Sequence, residues 1–176
     1  MVQVPLGGKM AIRCMGEADI QVMQTGFAAM GWSKPSGYFR ECARAAKEGR
    51  IEVWMAEVEG AYAGHVKIAW DVGDPPAPEI QDLAVLPSFR RRGIASQLLE
   101  TAEAAAFRRA HLVRIGVGLH PGYGAAQRLY VGRGFIPDGR GSTYEGRVMQ
   151  EGALVKLDDE LVLHLEKRRT DRPVGA

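Results

Sequence analysis

The sequence has little cysteine and no long hydrophobic run. Its only cysteines, Cys14 and Cys42, are isolated, which excludes a disulfide framework and a metal site built on closely spaced cysteines. No apolar run approaches the ~20 residues that a membrane-spanning helix needs. Met1–Lys9 lacks the basic start and long apolar stretch of a signal peptide. We therefore expect a soluble, cytoplasmic protein without a metal site.

Neither sign of charge is in large excess. A formal net charge of +2 gives no ground for predicting a nucleic-acid-binding protein, although basic residues cluster at 90–92 and 167–169. The hydrophobic fraction of 46% is enough for a packed core, and the length suits one domain. We predict a single domain over residues 1–167 and a disordered tail over residues 168–176.

The pattern of apolar residues predicts strands and helices in a mixed order. Strands are predicted at 9–15, 51–58, 62–70, 79–85, 113–119 and 161–167. Helices are predicted from Asp19 as N-cap to Met30, at about 38–48, and at 94–110 and 124–131, with a loop over 71–78. This order implies an α/β (α+β) fold with a mixed, largely antiparallel sheet of six or seven strands and helices on both faces.

The most informative segment is the end of strand 79–85 and the start of helix 94–110. Three arginines, Arg90, Arg91 and Arg92, precede Gly93, and the helix begins at once with Ile94. The first turn of a helix exposes unpaired N–H groups, which together with the helix dipole form an anion site. Gly93 allows a ligand to approach the backbone closely. The segment favours a phosphate-binding turn.

The segment does not match two common nucleotide-binding motifs, the P-loop and the Rossmann motif. A solvated turn without a ligand remains a possible interpretation. A glycine beside arginines at a helix start is often only such a turn. A P-loop would need a lysine after the glycine, and a Rossmann site would need three spaced glycines after an early strand. Neither pattern is present. A phosphate site without a nucleotide-hydrolysing apparatus remains.

Two further patterns follow this helix. Strand 113–119 has Gly116 and Gly118 on one face, which leaves room for a ligand against the sheet, or else marks a bulge or crowding by a neighbouring helix. On the next helix Tyr130 lies one turn beyond Ala126, so both side chains face the same way. A tyrosine there is normally part of the core.

Together these motifs resemble the GNAT superfamily of N-acetyltransferases. Its pyrophosphate loop, (Q/R)-x-x-G-x-(G/A), is matched by Arg90, Gly93 and Ala95. Its motif N-x-x-A-x-x-x-Y-x-x-x-G-F is matched by Ala126, Tyr130, Gly134 and Phe135. Tyr123 departs from the pattern, because the family often has asparagine there. The resemblance implies the acyl-CoA N-acyltransferase (GNAT) fold and acetyl-CoA as cosubstrate.

The resemblance also implies roles for individual residues. Acetyl would pass directly from acetyl-CoA to a primary amine of a small molecule or protein in a ternary complex. Backbone amides of 91–96 would bind the pyrophosphate, and strand residues 83–85 would pair with the pantetheine arm, with an N–H near Val85 at the thioester carbonyl. The expected cofactor-binding residues are Leu83, Ala84, Val85, Arg90, Arg91, Arg92, Gly93, Ile94, Ala95, Ser96 and Ala126.

The resemblance assigns catalysis to Glu79 and Tyr130. Glu79 is expected to be the general base, with Asp82 and His120 as weaker candidates, and Tyr130 would protonate the CoA thiolate. The acceptor side is expected around 31–38, 71–79 and the region after Phe135. Its expected lining is Trp32, Tyr38 and Trp70, and the carboxylates of Asp71, Asp74 and Glu79 would favour a cationic acceptor.

Two other functions remain as alternatives. One is a non-catalytic acyl-CoA-binding or sensing module with the same fold. The other is nucleic-acid binding through the arginine cluster, which would show strong salt dependence. We expect acetyl-CoA and an amine acceptor as partners, with no nucleic acid and no membrane, and the resemblance allows a homodimer. The sequence does not identify the acceptor.

Overall fold

A mixed sheet of eight strands forms the centre of the molecule. The structure is a computed structural model that describes residues 9–29, 31 and 34–169. The strands are β1 Met10–Cys14, β2 Ile51–Val58, β3 Ala61–Val72, β4 Ala77–Val85, β5 Leu112–Gly118, β6 Ile136–Tyr144, β7 Arg147–Val148 and β8 Leu161–Arg168. Their spatial order is β1-β2-β3-β4-β5-β8-β6-β7, and only β4 and β5 pair in parallel. The predicted mixed, largely antiparallel sheet is confirmed, with more strands than the six or seven expected.

Four helices cover both faces of this sheet. They are α1 Ile20–Ala29, α2 Tyr38–Lys47, α3 Ile94–Arg109 and α4 Gly124–Gly132. On one face α3 packs across β2 to β5, while α1 and α2 pack on β2 and β3 from the other face. None of the helices described is long and apolar enough to cross a membrane. The prediction of helices on both faces is confirmed.

The alternation of β3 shows how the two helical layers share one strand. Val66 and Ile68 are fully buried in the core cluster that includes α3. The preceding residue, His65, points to the other layer, where its ring lies 5.4 Å from that of Phe27. The Tyr62 hydroxyl lies 2.7 Å from His65 Nδ1, and burial lowers the pKa of His65 to about 3. A neutral, hydrogen-bonded histidine is therefore part of this core.

Local chemistry accounts for the turns and helices that were predicted correctly. Glu59 and Gly60 both have positive φ, at 52° and 78°, which is the geometry of a tight two-residue hairpin between β2 and β3. In α3 the stripe of Leu98, Leu99 and Ala102 is fully buried. Small alanines along this stripe let the helix lie close to the sheet.

Three sequence expectations need correction. The loop predicted over 71–78 shrinks to 73–76, because β3 continues through Val72 and β4 starts at Ala77. Asp19 does not cap α1. It lies in a short 3-10 helix, and its carboxylate accepts hydrogen bonds from the Gly16 N–H and from Arg13. The end of the predicted first helix, Met30, lies outside the described residues.

The C-terminal third differs most from the expectation. Strands β6 and β7 were not predicted, because the β6 segment lacks apolar alternation and contains Pro137, Gly139 and Gly141. The β6–β8 register shifts between Pro137 and Ser142, so a bulge takes up these residues. The predicted tail begins too early, since Arg168 ends β8 and the Arg169 N–H donates to the His111 carbonyl. Residues 170–176 lie outside the described part of the chain.

A buried carboxylate joins the two helices that follow the central strands. The Glu103 side chain on α3 is 6% exposed and accepts hydrogen bonds from Arg133 at 2.9 Å and from Lys167 at 2.5 Å. Arg133 follows α4, and Lys167 lies on β8. One acidic group thus connects three elements that are distant in sequence.

We expect Glu103→Ala to lower the free energy of unfolding by about 2 kcal/mol, because two cations lose a charge-assisted hydrogen bond at a mostly buried position. Urea unfolding followed by circular dichroism measures the change. Glu100→Ala is the matched control, since Glu100 is 69% exposed and 3.8 Å from the same arginine. It should cost less than about 0.5 kcal/mol. Equal losses in both variants would contradict the role of Glu103.

Candidate active site

A gap opens between β4 and β5 in the middle of the sheet. The parallel ladder joins only Glu79 with Arg114 and Ile80 with Ile115. Beyond this point β4 continues to Val85 and β5 to Gly118 without pairing. Unpaired strand edges inside a sheet expose peptide groups that need partners. The gap is therefore a place where a ligand can bind to the backbone.

A bulge in β4 lies where the gap begins. His65 is paired with Ala84 and Lys67 with Gln81, so two steps along β3 correspond to three along β4. The residue in excess is Asp82, whose φ is 51°. A bulge bends the strand that carries it and increases its local twist. This bend accounts for the parting of β4 from β5.

The last residues of β4 turn their peptide groups towards the gap. The Leu86 N–H donates to the Ala63 carbonyl at 2.9 Å. Because peptide groups alternate sides along a strand, those of Val85 point away from β3. The Val85 carbonyl accepts a hydrogen bond from Arg90 Nε at 3.1 Å. The Val85 N–H thus faces the open side, where the sequence predicted pairing with a pantetheine arm.

Close contact between β3 and β4 fixes this edge. A Cβ atom on Gly64 would lie 2.4 Å from the Ala84 carbonyl oxygen and 3.0 Å from Val85 Cα. No side chain larger than hydrogen fits there without moving the backbone of β4. Gly64 therefore sets how far the ligand-facing edge lies from β3.

The N-terminus of α3 follows directly after this edge. Arg91 and Gly93 both have left-handed backbone, with φ of 60° and 76°. The first helical hydrogen bond runs from the Gln97 N–H to the Gly93 carbonyl at 3.1 Å, so the N–H groups of 93–96 point out of the helix. Within the described residues no side chain caps them. Such a turn with outward amides binds anions.

Two observations indicate that a phosphate group fits this turn. The Nη1 atom of Arg92 is buried and has no hydrogen-bond partner among the residues that the structure describes. A Cβ atom on Gly93 would meet no atom within 4 Å, so open space lies over the amides. An anion in that space would accept hydrogen bonds from the open amides. Arg90 is directed instead towards β4, through its bond to the Val85 carbonyl.

Tyr130 lies on α4. Its side chain is 6% exposed and lies 6.3 Å from the ring of Phe135. In the described ranges no residue forms a hydrogen bond with its hydroxyl group. Burial, and secondarily the neighbouring Tyr123, raises the pKa of Tyr130 to about 12. The hydroxyl is therefore protonated at neutral pH and can donate. Ala126 lies half-buried one turn earlier.

The room predicted beside the two glycines of β5 is filled by the protein itself. A Cβ atom on Gly118 would lie 2.4 Å from the ring of Tyr123, and one on Gly116 would lie 3.0 Å from Val162. These glycines accommodate neighbouring side chains, and the crowding comes from Tyr123 before α4 and from Val162 on strand β8. Burial raises the pKa of Tyr123, followed by the charges of Asp159 and Asp82.

The three candidate bases have different surroundings. Glu79 is half-buried at the closed end of the gap and accepts one hydrogen bond, from Gln81 Nε2 at 2.8 Å. Asp82 is held by several donors, which are described below. His120 lies 2.8 Å from Asp159 through Nε2, while its Nδ1 accepts the Gly122 N–H at 3.1 Å. Glu79 is the candidate with the fewest internal partners.

The structure separates the predicted acceptor-side residues. Tyr38 starts α2 and its hydroxyl donates to Asp82, beside the gap. Trp70 lies on the opposite face, where the Arg109 guanidinium is 4.1 Å from its ring centre. It therefore cannot line a pocket together with Tyr38. Trp32 lies outside the described residues.

The predicted acidic lining also needs correction. Asp71 near the end of β3 and Asp74 in the following turn are exposed, beyond the closed end of the gap. The Arg114 guanidinium donates to the carbonyls of Val72 and Pro75 at that turn. Of the three predicted carboxylates only Glu79 borders the gap. The sequence reasoning missed Lys34 and Lys67, which lie much closer to it. A lysine within the apolar run of β3 was the available indication.

Comparison with known proteins gives a consistent result. A family model described as the acetyltransferase (GNAT) family matches residues 21–135, which is more than half of the chain. A search of curated proteins finds no match.

Three solved structures illustrate the likeness in fold. An acetyl transferase from Salmonella typhimurium that modifies the N-terminal serine of a 50S ribosomal subunit protein has a TM-score of 0.69 at 13% identity, covering 94% of this chain and 98% of that chain. A putative acetyltransferase from the same organism, solved with acetyl-CoA, has a TM-score of 0.67 at 18% sequence identity. The match covers 94% of this chain and 96% of that chain. A ribosomal-protein-alanine N-acetyltransferase from Brucella melitensis has a TM-score of 0.66 at 19% sequence identity. The match covers 90% of this chain and 99% of that chain. At these identities the likeness shows the fold.

We expect Gly64→Ala to lower the free energy of unfolding by about 2 kcal/mol, because the new methyl group collides with the backbone of β4. Urea unfolding measures the change. Gly132→Ala is the matched control, since a Cβ there meets nothing within 4 Å and the residue is helical. It should be neutral or stabilising by about 0.5 kcal/mol. If Gly64→Ala proved as stable as Gly132→Ala, the close contact would be unimportant.

Proposed function

The chain belongs to the acetyltransferase (GNAT) family, and on this premise we propose that it transfers acetyl from acetyl-CoA to a primary amine in a ternary complex. One domain over residues 1–167 would carry the activity. The neighbour solved with acetyl-CoA supports the choice of cosubstrate.

One observation carries the proposal. The uncapped amides of α3 follow the left-handed residues Arg91 and Gly93, shortly after the part of β4 that is not paired with β5, beyond Ile80. An anion site that follows an open backbone edge suits a long ligand with a diphosphate and an amide-containing arm. Coenzyme A has both parts.

Acetyl-CoA would supply an acetyl group activated as a thioester. The amides of 91–96 and the guanidinium of Arg92 would bind its pyrophosphate, and Leu83 to Val85 would form backbone hydrogen bonds with its arm. The Val85 N–H faces the gap and would donate to the thioester oxygen, where negative charge develops. These contacts fix the acetyl group near the bulge at Asp82.

The proton transfers fall to two side chains on opposite sides of the gap. An alkyl amine has a pKa of about 10.4 in water, so the acceptor must lose a proton before it attacks. Glu79 would accept this proton, directly or through a water molecule. Tyr130, which is protonated and has an unpaired hydroxyl among the described residues, would donate towards the departing sulfur. A non-catalytic acyl-CoA-binding module would not need this donor.

We expect Gly93→Asp to weaken CoA binding by at least about tenfold relative to Gly93→Asn, because a carboxylate would repel the pyrophosphate over the α3 amides. Asparagine has the same shape and tolerates positive φ, so the pair differs mainly in charge. Isothermal titration with CoA measures both affinities. Equal affinity in the two variants would place the diphosphate elsewhere.

We expect Tyr130→Phe to lower kcat about 100-fold and to leave the affinity for CoA unchanged, because only the proton donor is lost. Release of free thiol from acetyl-CoA measures turnover. Tyr144→Phe serves as control. Tyr144 is on β6, and its hydroxyl donates a hydrogen bond to Asp158 at 3.2 Å, outside the proposed site. Undiminished turnover in Tyr130→Phe would exclude the role of proton donor.

A further inference from the structure

Two lysines share one carboxylate on the acceptor side of the gap. Lys34 Nζ lies 2.8 Å from Asp82 Oδ1, and Lys67 Nζ lies 3.3 Å from Asp82 Oδ2. The side chains of Lys34 and Lys67 are 27% and 16% exposed, so water stabilises each ammonium only in part. One carboxylate neutralises one of these two charges.

Tyr38 holds the two lysines apart. Their ammonium groups lie 4.7 Å and 5.3 Å from the centre of its ring. Lys67 also donates to the Tyr38 hydroxyl at 3.0 Å, and that hydroxyl donates to Asp82. The arrangement fixes both cations around one aromatic ring, on the sheet face covered by α1 and α2.

This cluster lies beside the position proposed for the acetyl group. Asp82 is the bulged residue directly before Leu83, and Lys67 is opposite Gln81 in the register. The Val85 N–H proposed for the thioester oxygen is opposite Gly64, which is three residues or about 10 Å along β3 from Lys67, and the lysine side chain spans part of that distance. A group attached close to the amine can therefore reach the lysines.

The balance of charge predicts what that group is. The charged residues linked directly to the cluster are Lys34, Lys67 and Asp82 through salt bridges, and Glu79, whose charge acts on Lys67. These four sum to zero. An acceptor that arrives as an ammonium ion would add one positive charge in a partly buried place. A carboxylate on the same acceptor would restore neutrality.

We propose that the acceptor is an amine with an adjacent carboxylate, an α-amino acid, whose carboxylate binds to Lys34 and Lys67. The inference rests on the proposed function and assigns its substrate class. A peptide or protein N-terminus has an amide in place of this carboxylate and would leave the lysines with Asp82 and Tyr38 as their partners. Polyamines would add positive charge beside them.

The test compares matched pairs that differ only in the carboxylate. Each L-amino acid and its α-carboxamide is titrated separately into the CoA-saturated protein by calorimetry, and thiol release from acetyl-CoA is measured with the same compounds. We expect at least one acid to bind tenfold or more tightly than its amide. Lys67→Met, which keeps the length of the side chain, should weaken acid binding about tenfold and change amide binding less than twofold.

Further variants separate binding from folding. Lys34→Met changes a residue outside helices and strands and should repeat the effect of Lys67→Met, while thermal unfolding confirms that both variants fold. Lys47→Met is the control, because Lys47 is 70% exposed and pairs with Glu17 away from the cluster. It should bind acids as the unmodified chain does.

The outcomes separate the inference from the proposed function. Amides or polyamines that bind as tightly as acids, equal losses for acids and amides in Lys67→Met, or no binding of any acid would overturn the substrate class. Acids that bind without any thiol release would support the lysine site and refute acetyl transfer. Thiol release with amides or polyamines alone would support acetyl transfer and refute the carboxylate.

Discussion

The parting of β4 from β5 after only two paired residues is the constraint on which the rest of the structure depends. A sheet normally satisfies its own peptide groups, and here, among the residues described, β4 and β5 do not pair with each other beyond Ile80. The bulge at Asp82 produces this gap, and the close contact at Gly64 limits how far β4 can relax back. The strand geometry that separates β4 from β5 is thus also what would allow a ligand to bind there.

Backbone groups carry most of the proposed cosubstrate site. The turn before α3 presents amides through the left-handed residues Arg91 and Gly93, and Val85 presents an N–H along the strand edge. Side chains have secondary tasks: Arg90 donates a hydrogen bond back to β4, and the Arg92 guanidinium lies over the Phe89 ring. By contrast, the proposed acceptor side consists of side chains, which can vary while the fold stays the same.

Local patterns in the sequence predicted the parts of the molecule that depend on neighbours in the chain. The helix after Gly93, the β2–β3 hairpin and the two motifs around Arg90 and Tyr130 are of this kind. The bulge at Asp82 and the pairing of Lys67 with Gln81 depend on register between strands, which no local pattern contains. Strand β6 was not predicted, because its glycines and proline lie in a bulge. That bulge is defined by the pairing of β6 with β8, which is distant in sequence.

The position of β8 between β5 and β6 has a consequence for how the chain folds. During synthesis the edge of β5 is complete after residue 118, yet its antiparallel partner is not made until residues 161–168 emerge. Until then one side of β5 is an open edge that can pair with other chains. Truncation before residue 161 should therefore leave this edge of β5 unpaired and prone to aggregation. A chaperone that covers unpaired strand edges would act during this interval.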